Sequence, residues 1–408
     1  MPSELGAYKA VGTLYNALMT ALVLGLVTRR GEDTAREYVF RHFRRQHLEK
    51  FLPGLQKLGL RGEKDAPACA LYHYHSNALG GVKTGYLRES DSKAWVRYPP
   101  PRWIWKGTAI AAVPHAVSAA MLHGWHGHNG VSLGNDRLGF VCTGMTVDGL
   151  PGLEGYYIDY GRPIAESERV RFAYGTEEMP RVDWKTQPKL DTDSWPEQRK
   201  LKTFRAYALE YLRTMLPTLQ DLLGAAGTRE ELGRAGRLVG LQFHEETARD
   251  MDLPTDVERG DAQSAADFAR WLGAILSAQG EDIEVRGTEV VMIGWRAVRE
   301  LKLADPLAAF DAWNELWLGA AGESREWTQL RAVAASLAIP VRPLRRGADF
   351  DFGGAQVRVL APALDYEAAN DARNNDSLVM RLAFGSTSFL LEGDAEKQVE
   401  REMADAGL

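Results

Sequence analysis

Cysteine, net positive charge, long apolar runs and late histidines are all scarce in this chain. Only two of its 408 residues are cysteine, Cys69 and Cys142. That is too few for a disulfide-stapled scaffold, and a reducing, cytoplasmic setting is the simpler expectation. Lysine and arginine total 49 against 55 aspartates and glutamates, a net charge of -6. A general nucleic-acid-binding surface would be basic, so nucleic acid is not expected as a partner. The longest apolar run, Leu14 to Val27, is broken by Asn16, Thr20 and Gly25 and is shorter than the ~20 residues of a membrane span. It reads as a buried core helix. Met1 to Ala10 has no basic start and no small-residue cleavage site, so no signal peptide is expected.

What is present is ordinary for a globular chain: 45% hydrophobic and 25% charged residues. The length favours two or three domains. Helices are predicted over Tyr8 to Arg30 and Thr34 to Leu58, broken at Gly31 with Asp33 as N-cap. The aromatic run Cys69 to His75 reads as a strand. Val82 to Arg88 and Trp95 to Tyr98 read as a hairpin, Ala116 to Trp125 as a short helix, and Leu138 to Thr143 and Tyr156 to Tyr160 as strands. Helices follow over Gln198 to Leu223, Arg229 to Ala248, Ala262 to Gln279 and Pro306 to Leu318, with a hairpin turning over Gly287-Thr288. The fold class implied is α+β. A mixed helical and antiparallel-sheet body occupies residues 1–322, with a lobe split near 180–196, and a β-hairpin segment occupies residues 323–408.

Six of the nine histidines, His73, His75, His115, His123, His126 and His128, fall in one stretch. On a strand, His73 and His75 would share a face. Together with His123 they could supply imidazoles to zinc or manganese; without such a metal no cofactor is expected. His126 and His128 lie in the glycine-rich stretch Gly124-Trp125-His126-Gly127-His128-Asn129-Gly130, where backbone N–H groups could form an oxyanion pocket. No Gly-Lys-Ser/Thr follows, so the stretch is not a phosphate-binding P-loop. Cys142 stands on the next strand as a candidate nucleophile, and Glu245, beside His244, as a candidate acid or base. Trp103, Trp105, Asn129 and Tyr156 are candidate substrate contacts.

Asn374-Asn375-Asp376-Ser377-Leu378-Val379-Met380-Arg381-Leu382 and Phe389-Leu390-Leu391-Glu392-Gly393-Asp394 flank a tight Gly385-Ser386 turn. This segment resembles the metallo-β-lactamase-like domain of ComEC-type competence (DNA-internalisation) proteins over roughly Arg325 to Leu408. The resemblance implies that Asp394 occupies the place of an aspartate bridging two metal ions. Such a site also needs a His-x-His-x-Asp-His cluster and further histidines, and no histidine follows His244. The segment therefore reads as truncated and catalytically dead, with Asp394 a vestigial ligand. Exposed strand edges would favour self-association through this tail.

In the body, the strand Leu138-Gly139-Phe140-Val141-Cys142-Thr143 followed by Asp148-Gly149, the helix order, and the Trp271 to Trp295 region are similar to the L-2-amino-thiazoline-4-carboxylic acid hydrolase family. The resemblance implies hydrolysis of a small ring. In that pattern a cysteine follows the strand threonine by two positions, where this chain has Met145. The leading expectation is a hydrolase of a small cyclic amide or amidine, with His126 and His128 activating water. Its rivals are a non-catalytic small-molecule-binding or sensor domain, and a remnant or fusion of a ComEC-type protein.

Overall fold

The computed structural model describes residues 2–80, 82–99, 113–181, 183, 185–189, 195–255, 262–321, 344–364, 366, 377–393, 395, 397–405 and 407. The chain divides into two compact units, Met1–Glu323 and Ser324–Leu408.

The first unit begins with α1 (Glu4–Arg30) and α2 (Glu32–Lys57), which meet at Gly31. Gly31 has φ 85, a left-handed conformation that costs a residue without a Cβ little. Ser3 caps α1 by accepting from the Gly6 amide at 3.2 Å. The expected cap of α2 at Asp33 is not used: Gly31 is the N-cap and Asp33 lies in the first helical turn, where its charge suits the helix dipole. Among the described residues α1 is the one helix long and apolar enough to cross a membrane by length and composition. Its apolar residues lie inside the unit, with Leu14, Tyr15 and Leu22 fully covered.

α3 (Asp65–Leu79) corrects the strand expected at Cys69 to His75. Alternating tyrosine and histidine imitates a period of two, but Ala66, Ala68, Ala70 and Ala78 favour helix. Pro67 sits in the first turn, where its missing N–H costs nothing. Nearly every side of α3 is buried, so no amphipathic stripe marks it as a helix. One consequence concerns function. Two residues apart on a helix means about 200° of rotation, so His73 and His75 point to opposite sides.

A five-stranded sheet of order β1-β2-β4-β3-β5 follows. Its strands are β1 (Gly85–Arg88), β2 (Lys93–Tyr98), β3 (Leu138–Gly144), β4 (Leu153–Asp159) and β5 (Val170–Phe172). All pairs are antiparallel except β3 with β5, which is parallel. Alternation sorts the faces. Ala94, Val96, Tyr98, Phe140, Cys142 and Tyr157 join the helical core. Trp95, Val141 and Tyr156 form a separate cluster with Met179. Among the described residues between β2 and β3 are α4 (His115–Gly124), a 3-10 turn at His126–His128, and α5 (Asn129–Leu133).

α6 (Glu197–Asp250) runs as one long element with a break at Gly224, whose φ is 69. The break divides it into two helices, as expected on either side of residue 224. α7 (Ala262–Gln279), the hairpin β6 (Ile283–Arg286) and β7 (Glu289–Met292), and α8 (Pro306–Ala320) complete the unit. α8 lies close against the second half of α6. A Cβ on Gly240 would come within 2.1 Å of the Leu316 carbonyl oxygen and 2.5 Å of the Ala320 nitrogen.

The second unit is a meander of order β11-β10-β9-β8, from β8 (Asp349–Phe352), β9 (Ala355–Ala361), β10 (Val379–Phe384) and β11 (Thr387–Leu391). The β10–β11 hairpin turns at Gly385, φ 58, as the Gly385-Ser386 pair implied. α9 (Lys397–Asp405) brings Val399 and Met403 onto Leu360, Ala361 and Val379. β11 is an edge strand exposed along its length, including Phe389, Leu390 and Leu391. Asp394 lies outside the described residues.

Two glycines in helices test the packing with opposite signs. Gly240→Ala overpacks the α6–α8 contact and is expected to destabilise by about 1–3 kcal/mol. A Cβ on Gly25, in α1, meets nothing within 4 Å, so Gly25→Ala is expected to stabilise by about 0.4–1 kcal/mol. Urea unfolding of both variants checks the pair, and a stable Gly240→Ala would contradict the close approach.

Three buried histidines set the response to acid. Burial holds His42 down to about 3, His47 to about 3, with Arg44 adding to the effect, and His244 to about 4. Each stays neutral when folded but takes up a proton near pH 6.5 when unfolded. Their stability contribution is complete above pH 6.5 and falls as pH drops toward the folded values, by about 1.4 kcal/mol per group per pH unit. Unfolding midpoints measured from pH 7.5 down to 5 should fall steeply, and less so in His42→Gln. A flat profile would show that these imidazoles titrate normally.

Candidate functional site

Three aromatic side chains from different elements lie parallel at the centre of the first unit. The rings of His73 on α3 and His126 stack with centroids 4.1 Å apart and planes within 15°. The Tyr157 ring on β4 runs parallel to both, 5.8 Å from each and within 3° of the His126 plane. Asn129, fully buried at the start of α5, ties them together. Its Nδ2 donates to the Tyr157 hydroxyl at 2.9 Å and lies 3.3 Å from His73 Nε2. The Tyr98 hydroxyl is 3.4 Å from His126 Nε2. Burial pushes the Tyr157 phenol well above its usual range, so it stays protonated and can donate onward.

His73 and His126 line a cavity of about 430 Å³. Phe43, Tyr72, Tyr98, Met121, Trp125 and Tyr207 supply most of its apolar wall. Lys50, Lys57 and Glu210 also line it, Lys50 pairing with Glu210 at 2.9 Å. The result is an aromatic chamber with paired imidazoles, a few polar groups and charged side chains. Pockets for small organic molecules have this composition.

The other expected site residues are elsewhere. His128 Nδ1 donates to the His123 carbonyl at 2.8 Å, which leaves its ring beside Phe40 and His47 instead of in the cavity. The His123 ring lies against Phe172 at 5.9 Å. Cys142 donates its thiol proton to the Gly144 carbonyl at 3.4 Å, and burial pushes it up to about 12. A thiol so held is not a thiolate near neutral pH. Glu245 lies on α6, pairing with Arg249 at 3.2 Å, while the adjacent His244 packs on Trp271. Tyr156 points to the far face of the sheet and donates to Glu177 at 2.9 Å. Trp103 and Trp105 lie outside the described residues.

The metal expectation meets the same geometry. His73 and His75 point apart on one helix, and His123 has separate surroundings. The stacked His73 and His126 rings direct their in-plane lone pairs along parallel planes, which does not converge on one ion at zinc–nitrogen distances of about 2 Å. Among the described residues no three histidine, cysteine, aspartate or glutamate side chains are grouped to hold a metal ion. These residues do not fit the expected zinc or manganese site.

Sequence reading named His73 as a metal ligand, His126 as catalytic and Asn129 as a substrate contact, and did not name Tyr98 and Tyr207, which line the cavity, or Tyr157, which lies parallel to the two imidazoles. No short-range signal joins them. The alternation along β4 could have separated Tyr156 from Tyr157, but not assigned either to the cavity side. No protein-family model, curated protein or solved structure matches the chain.

Asn129 is expected to hold this arrangement together. Asn129→Leu removes the donor shared by His73 and Tyr157, leaving buried polar atoms unpaired at about 1–3 kcal/mol. A double-mutant cycle with Tyr157→Phe should show coupling, because both changes break the same hydrogen bond. Strict additivity would mean that the contact contributes nothing.

Proposed function

We propose that the first unit binds a small organic molecule with a flat, apolar body in the ring-lined cavity, and that His73 and His126 meet its polar end. The observation that carries this reading is the pairing of a mostly apolar wall with two imidazoles fixed by buried partners. Apolar burial supplies the affinity, while the few polar groups orient the ligand. The uncharged probe N-phenyl-1-naphthylamine tests the cavity directly. It should bind with quenching of tryptophan emission, Trp125 being in the wall. Ala206→Trp, placed in the cavity lining, should weaken binding at least about tenfold, since it denies the probe most of its apolar contact. Unchanged binding in that variant would remove the cavity from the reading.

A second reading is hydrolysis of a small cyclic amide or amidine, favoured by the presence of His126 in the cavity. In this reading His126 takes a proton from water as it attacks the ring carbon, and the released ring nitrogen is then protonated. His128, Cys142 and Glu245 take no part. With 2-amino-thiazoline-4-carboxylate as trial substrate, His126→Phe should lower turnover by about 10²-fold or more, the usual worth of a general base. His128→Phe should leave it unchanged. Probe binding without turnover would favour the binding reading.

For the second unit we infer a non-catalytic relative of the metallo-β-lactamase-like domain of ComEC-type proteins. Its support is the Gly385-Ser386 hairpin motif alone. The exposed edge β11 supports self-association as that unit's contribution.

A further inference from the structure

A different face of α2 carries a second cavity, of about 450 Å³, lined by Arg41, Arg44 and Arg45 with Phe40, Leu48 and Thr218 among its other walls. Arg41 donates to Glu37 at 2.6 Å, and Arg45 to Asp221 at 2.7 Å. Nearby Arg169 pairs with Glu166 at 3.3 Å. Arg44 differs from all three. Its Nη1 lies 2.8 Å from His47 Nδ1, and no carboxylate pairs with it among the described residues. Glu49, which also lines the cavity, is exposed and forms no ion pair among the described residues.

The charge on Arg44 is felt around it. Burial and then Arg169 lower Arg44 itself. Burial and then Arg44 hold both His47 and His128 in the neutral form. Arg44 thus shares its surroundings with a second guanidinium and two neutral imidazoles, and of the two carboxylates that also line the cavity Asp221 is paired with Arg45 and Glu49 is exposed, so neither pairs with Arg44 among the described residues. Guanidinium donors match an oxyanion with two parallel hydrogen bonds. On the same face of α2, Leu48, 63% exposed, lies one turn after Arg44, and the partly buried Phe40 one turn before it. This gives an apolar surface adjoining the cationic one.

We propose that this cavity binds a phosphomonoester, its phosphate on Arg44 with Arg41 and Arg45 flanking, and its organic group against Leu48 and Phe40. The site is independent of the ring-lined cavity, and its test does not rest on that reading. Both inorganic phosphate and an ester offer the same oxyanion, so both are used as probes.

The experiment is thermal unfolding of the full chain with phenyl phosphate, inorganic phosphate or chloride at matched ionic strength. Both phosphates should raise the midpoint beyond chloride, and phenyl phosphate should do so at lower concentration. Arg44→Gln should weaken both by about tenfold or more, the worth of a charge-assisted hydrogen bond. Arg44→Lys keeps the charge without the fork and should fall between. A second readout is imidazole titration by NMR: a bound anion offsets Arg44, so His47 and His128 should titrate at higher pH in the wild type and not in Arg44→Gln. Equal stabilisation by chloride, or full binding by Arg44→Gln, would overturn the site. Equal affinity for the two phosphates would overturn the ester.

Discussion

The Asn129 side chain is the constraint on which the first unit's centre depends. It sits where α3, the His126–His128 turn, α5 and strand β4 come together. Its amide donates to the Tyr157 hydroxyl and lies within reach of His73. A buried polar group is expensive unless paired, so the amide's bond to Tyr157 and approach to His73 add a directional tie to the packing of α3 on β4. With α3 and β4 held, the rings of His73, His126 and Tyr157 are parallel, and the cavity has two imidazoles in its lining. The same amide also reaches Cys69, although burial and Asp65 still push that thiol well above its usual range. Cys69 is therefore part of the packing and not a reactive group.

The histidines show how burial decides chemistry. Six clustered histidines suggested a metal or a set of acid–base groups, while three others, His42, His47 and His244, are held neutral by burial in aromatic surroundings. His42 lies against Phe43 and Tyr211, His47 against Phe51 and Trp125, and His244 against Trp271. Such rings pack as flat amphipathic side chains and do not take up protons readily. They contribute to the fold at neutral pH and oppose it in acid. His73 and His126 line open space, and this separates a candidate site from the rest.

Much of the architecture could be read from local patterns. The break at Gly31, the β1–β2 hairpin, α7, the β6–β7 hairpin and the Gly385-Ser386 turn follow from glycine placement and hydrophobic period. α3 could not be read this way because it is covered on nearly every side, so its sequence carries no stripe. Its tyrosines and histidines alternate as a strand's would. The division of α6 was legible, because Gly224 breaks the helix with a left-handed backbone angle between the two expected helices.

Composition and short-range pattern alone determined the α+β class, the absence of a disulfide framework, and the concentration of histidine before residue 129. These depend on residue counts and on neighbours within a few positions. Tertiary structure alone decided which histidines meet, because His73 and His126 are brought together by a helix, a turn and a sheet that are separate in the chain. It also turned His128 and Tyr156 away from the cavity and, among the described residues, left Arg44 without a paired carboxylate. Each of these outcomes depends on where distant segments place their side chains in three dimensions, and no local spacing encodes that.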